Sequence, residues 1–116
     1  MAGSTRFAPP TGAVRTTGWA VQLGAYDSVG VASQAWSRLG RRHALLGAHD
    51  GVTTLASVDG KQFYRLAATG FASRSAAQAA CNAVVHAGGR CFVRNIAQGE
   101  QVRWASREMN RRVASR

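Results

Sequence analysis

Five residues of this chain could do chemistry together if the backbone brings them to one surface. Gln22, Arg65 and Arg94 carry planar hydrogen-bonding groups, and Phe63 and Phe92 carry flat apolar rings. Planar donors and acceptors suit hydroxyls and acetamides, while an aromatic face suits the C–H side of a sugar ring, so the set has the composition of a shallow carbohydrate groove. Covalent chemistry is poorly served by comparison. His43, His49 and His86 fall in a loop, a loop and a helix end, and form no triad with a nucleophile. Asp27, Asp50 and Asp59 are the acids of the central region, and Asp59 belongs to a turn, so the paired carboxylates of glycosidic hydrolysis are not apparent. The expectation is a binding module without catalysis, metal or cofactor.

The elements that must position these residues follow from periodicity. Residues Trp19–Ala25 alternate, with Val21 and Leu23 on one side and Ala20, Gln22 and Gly24 on the other, which predicts a strand. Ser28 can cap a helix in which Ala32, Ala35, Trp36 and Leu39 form one apolar stripe, and Gly40 suits its end. Beyond a loop over 41–51, Val52–Val58 and Gln62–Ala68 read as strands joined at Asp59-Gly60. Ser73 can cap a second helix reaching about His86, and Arg90–Arg94 reads as a last strand, with Cys91 and Val93 inward and Phe92 and Arg94 outward.

The two halves repeat at an offset of 45 residues: Tyr26 corresponds to Phe71, Ser28 to Ser73, Ala32 to Ala77 and Leu39 to Val84. The order βαββαβ predicts an α+β, ferredoxin-like domain, a four-stranded antiparallel sheet with both helices on one face and the other face free. On that layout Gln22, Phe63, Arg65, Phe92 and Arg94 share the free face, Tyr64 alternates to the core, and Trp19 could serve either side. Gln22 and Arg65 are also compatible with ordinary solvated strand positions, Arg65 pairing with Asp27 or Asp50 at little gain.

Cys81, on the helix stripe, and Cys91, on the inner face of the strand ten residues later, are the only cysteines. A disulfide and a contact between two small buried side chains both fit. The former would agree with an oxidising compartment. Their spacing does not suit a metal.

Length and charge bound the rest. The 116 residues suffice for one core. Residues 1–17, with Pro9-Pro10, read as a flexible arm, 18–94 as the domain, and 95–116 as a basic tail, frayed or weakly helical. Of the net charge of +10, the arm holds +2, the domain +5 and the tail +3, so half lies outside the domain. Such charge attracts any polyanion and selects none. No window is long and apolar enough to span a membrane, and no secretory signal is visible at the start, so an export signal or anchor is expected outside these residues.

At Val21-Gln22-Leu23-Gly24-Ala25-Tyr26 the sequence resembles the opening signature of the sporulation-related repeat, or SPOR, domain: aliphatic, Gln, aliphatic, Gly, small, aromatic. Tyr64-Arg65-Leu66, Phe71-Ala72-Ser73-Arg74 and Gly88-Gly89-Arg90-Cys91-Phe92-Val93 resemble the family's aromatic-Arg-aliphatic strand, phenylalanine corner and closing strand. Thr69-Gly70-Phe71 replaces the family's usual Gly-Pro-Phe, and Ala25 its frequent Ser. The resemblance implies non-catalytic binding of peptidoglycan glycan strands stripped of stem peptides, in the periplasm or cell envelope, by a larger protein working with division or wall-remodelling factors. It adds Ala25 to the glycan contacts, together with Tyr26 and Phe71, equivalent corners for which core packing comes first and contact at the rim second. The rival is an RRM-like nucleic-acid module of the same layout, but Gln62-Phe63-Tyr64-Arg65-Leu66 lacks the glycines of the RNA-binding signature.

Overall fold

The computed structural model describes residues 17–106. The arm expected over 1–17, save Thr17, and the tail from 107 onward lie outside the described residues.

Strand β1, Gly18–Tyr26, leads to helix α1, Val29–Arg42. Ser28 caps α1 as expected, its Oγ accepting the Val31 N–H at 3.1 Å. The loop after α1 holds a short 3₁₀ helix, Ala44–Ala48. Strands β2, Asp50–Val58, and β3, Lys61–Phe71, form a hairpin whose Asp59 and Gly60 both take positive φ, 52° and 79°, as a type I′ turn demands. Helix α2, Arg74–His86, begins at Ser73, whose Oγ accepts the Ala76 N–H at 3.0 Å. Strand β4 runs from Phe92 to Ile96, two residues later than the sequence suggests.

All pairings are antiparallel, and the sheet order is β4-β1-β3-β2-β5. The first four strands give the ferredoxin-like α+β arrangement. The fifth, β5 at Val102–Ala105, is a correction to the expected four, and it arises within the stretch read as a frayed or weakly helical tail. Its single alternation, Val102-Arg103-Trp104-Ala105, is too short to stand out from an arginine-rich background. Pairing with β2, about fifty residues earlier, supplies what local pattern does not.

The main core lies between the sheet and the helices, where Val21, Leu23, Leu46, Ala68, Ala77, Cys81 and Val84 are buried and Trp19, Trp36, Leu39 and Phe71 pack against them. Trp19 therefore serves the helix side. Trp36 lies so close to β2 that a Cβ on Gly51 would stand 2.5 Å from its indole ring. Cys81 and Cys91 form a disulfide, with Cα atoms 5.4 Å apart, fastening α2 to the approach of β4.

The far face also differs from expectation: it is not left free. Ala20, Val52, Ala67, Ile96 and Ala105 form a second buried cluster there. Strands β4 and β5 sit on opposite edges, so residues 97–101 must traverse the sheet to join them. Gln101 is held against β2 by its carbonyl, which accepts the Leu55 N–H at 2.9 Å. The traverse runs on the face away from the helices, because Glu100 meets Arg94 there and Arg94 stands opposite Ala20.

Candidate carbohydrate-binding face

Opposed residues of an antiparallel ladder project to the same side, so the register assigns faces directly. Phe92, Gln22, Ala67 and Val52 form one row across β4, β1, β3 and β2. Ala25, Arg65 and Thr54 form the next, and Phe63 with Ala56 the one after. A bulge between Gln22 and Gly24 lets β1 do this. Without the bulge, strict alternation from Gln22 would turn Ala25 toward the helices; with Leu23 as the extra residue, Leu23 enters the core and Gln22 and Ala25 both face outward. Gly24 sits under the Tyr26 ring, and a Cβ there would come within 2.7 Å of the tyrosine hydroxyl.

Six of the eight residues expected to meet a glycan, Gln22, Ala25, Phe63, Arg65, Phe92 and Arg94, thus share the far face. Tyr26 and Phe71 do not. Tyr26 opposes Tyr64 on the helix-bearing side, and Phe71 stacks on His49, ring centroids 3.9 Å apart, while packing against the main core.

Exposure within the six is uneven. Phe92 is 55% exposed and Ala25 is open to solvent, while Phe63 and Arg65 are half-buried. The Lys61 ammonium stands 5.2 Å from the centre of the Phe63 ring. Gln22, expected to be wet, is 9% exposed, and its Oε1 is buried without a partner among the described residues.

Arg94 lies on the same face. Its guanidinium donates to both Glu100 carboxylate oxygens, at 2.6 and 3.2 Å, and to Thr54 Oγ1 at 3.2 Å. Arg94 starts on β4 and Thr54 lies on β2, with β1 and β3 between them. In the register the diagonal between them runs over Gln22 and Ala67, and the small side chains of Ala20 and Ala67 leave room for the arginine stem. Glu100 also accepts the Ala97 N–H at 2.9 Å. The Arg94 hydrogen bond foremost, then the Ala97 amide and the charges of Arg94 and Arg65, hold the Glu100 carboxyl below its ordinary value of 4.5, against an opposing push from partial burial.

Glu100 and Thr54 are the participants that sequence reading missed. Glu100 could have been suspected as the lone acid of 95–107, six residues after Arg94. Thr54 could not, since nothing local ties β2 to Arg94.

A cavity of about 270 Å³ opens elsewhere, on the helix side, between Trp36, Leu46, His49, Asp50 and Ser106. It touches none of the far-face residues. No group of three or more His, Cys, Asp or Glu able to hold a metal occurs among the described residues, and no helix among them is long and apolar enough to cross a membrane.

The chain is thus an α+β domain with a ferredoxin-like sheet, helices on one side and amide, guanidinium and aromatic side chains on the other. The family model of the SPOR domain matches residues 16–95, and the chain belongs to that family. It is 41% identical over 76 residues to the cell division protein FtsN of Caulobacter vibrioides (strain NA1000 / CB15N). That alignment covers 64% of this chain and 28% of the relative's length. No solved structure matches the chain.

Proposed function

We propose that the chain is the wall-binding module of a larger division-associated envelope protein, and that its far sheet face takes peptidoglycan glycan strands lacking stem peptides, without catalysis. The observation that carries this is the gathering of Gln22, Arg65, Phe92 and Phe63 on one face of a SPOR domain. The exposed Phe92 ring offers a platform for the apolar side of a sugar. Beside it, the unpaired Gln22 carbonyl can accept from an acetamide N–H, which would relieve the cost of a buried acceptor without a donor. The Cys81–Cys91 disulfide agrees with the oxidising periplasm. The FtsN relative, a cell division protein by name, supports a place at the division site.

The test is co-sedimentation with sacculi before and after an amidase has removed the stem peptides. Retention should rise on amidase treatment and persist at moderate salt. Arg65→Ala and Gln22→Ala should each weaken it about tenfold while the fold is kept, in line with the loss of one charged or buried hydrogen bond. Retention that salt abolishes and heparin or RNA matches would instead mark charge-driven binding and defeat the assignment.

A further inference from the structure

We infer that Glu100 is a built-in stand-in for the ligand: its carboxylate occupies a subsite, formed by Arg94, Thr54 and Arg65, that receives the free carboxylate of a muramic acid residue. The inference rests on the wall-binding reading and says which group of the strand the face selects.

The argument begins with what the subsite now holds. Arg94 grips Glu100 through two hydrogen bonds, the arrangement a guanidinium makes with any carboxylate. Arg65 on β3, paired with Thr54 in the register, faces the same side and adds its positive charge. Thr54 Oγ1 accepts at 3.2 Å from the same Arg94 Nη2 that donates to Glu100, and so fixes the guanidinium. Both arginines belong to the sheet, whereas Glu100 belongs to the segment laid across it, so the cationic part stays in place if the segment lifts. The carboxylate side chain is 26% exposed and Arg94 only 16%, which leaves the anion as the removable partner. Gln22, more than nine-tenths buried, lies under the Arg94–Thr54 diagonal with its Oε1 unpartnered.

The strand chemistry supplies the matching group. In an intact wall the lactyl carboxyl of each substituted muramic acid is tied up as an amide to its stem peptide. An amidase adds water across that C–N bond, leaving the carboxylate on the sugar and the amine on the released peptide. Peptide removal therefore creates an anion on the strand, and a face with a carboxylate subsite senses stripping by that new charge as well as by lost bulk. Glu100 competes for the subsite from within the chain, so a free carboxylate must displace it to bind.

The experiment uses the 116-residue chain and soluble glycan strands released from amidase-treated sacculi. One portion keeps its free carboxylates; the other has them capped as neutral methylamides. Wild type should bind the free strands about fivefold or more tightly than the capped ones. Glu100→Gln should bind free strands about two- to fivefold more tightly than wild type, as expected on removing a competing ion pair of surface strength, and should leave capped strands unchanged. Asp59→Asn, in the β2–β3 turn, removes the same charge and should change neither. Because Glu100→Gln also alters the crossing segment, the Arg94 Nε–H resonance of wild type is followed as well; it should shift with free strands and stay put with capped ones. Equal binding of free and capped strands, or an unmoved Arg94 signal at saturation, overturns the subsite while leaving the wall-binding reading intact. Failure of both wild type and Glu100→Gln to bind strands of either kind overturns the wall-binding reading itself.

Discussion

At the scale of single residues, two glycines show how much depends on what a neighbour can do. A methyl group on Gly51 would meet the body of the Trp36 indole at 2.5 to 2.7 Å, and that ring is wedged between α1 and the sheet. Gly51→Ala should therefore destabilise the domain by about 1 to 3 kcal/mol, the usual range for overpacking, and thermal melting would record it. Gly24→Ala also collides, but with the hydroxyl end of Tyr26, a tip that can swing aside. Its melting point should fall less than that of Gly51→Ala; the reverse order would mean that Tyr26 is the more tightly held ring. Residue identity was legible where motif and alternation coincide, as at Gln22, Arg65 and Phe92. It failed at Gln22's exposure, because the far face is crossed by residues 97–101 and by the Arg94–Thr54 hydrogen bond, and both depend on partners distant in the sequence.

At the scale of elements, the caps, helices and hairpin could be read in advance since each rests on contacts within a few residues: Ser28 and Ser73 on the third amide beyond, Asp59-Gly60 on its own turn. The duplicated halves made the strand order legible as well. Strand β5 and the traverse over 97–101 were not, because their partners lie on β2 and β4 and their own sequence is mostly polar. The disulfide acts at this scale too, tying α2 to the strand that presents Phe92 and Arg94. Closing a ten-residue separation restricts the unfolded chain by about 2 to 3 kcal/mol. Reduction, or Cys91→Ser together with Cys81→Ser, should lower the denaturant midpoint accordingly with little change in slope. An unchanged midpoint would show that packing alone holds α2 to β4.

At the scale of the whole molecule, residues 97–101 connect the two edges of the sheet, and the Arg94–Glu100 pair is what fastens this connection to the face beneath. Because folding depresses the Glu100 carboxyl, its contribution is fully present above the ordinary value of 4.5 and is lost as pH falls below it through the folded value. The amount is about 0.2 to 1 kcal/mol, given that the pair is partly exposed and screened. Melting curves of wild type should thus fall toward those of Glu100→Gln as the solution is acidified, the two differing near neutrality and converging at low pH; a difference constant with pH would remove the pair from the ledger of stability. The strand order carries one further consequence, a mechanical one. Strand β1 lies inside the sheet, zipped to β4 on one flank and to β3 on the other. Tension entering the domain along the chain at Gly18 while the face is held on a rigid polymer would load both ladders lengthwise at once, so the strand must yield as a unit instead of peeling away bond by bond. Load taken by an interior strand is shared between two ladders, which an edge strand cannot offer.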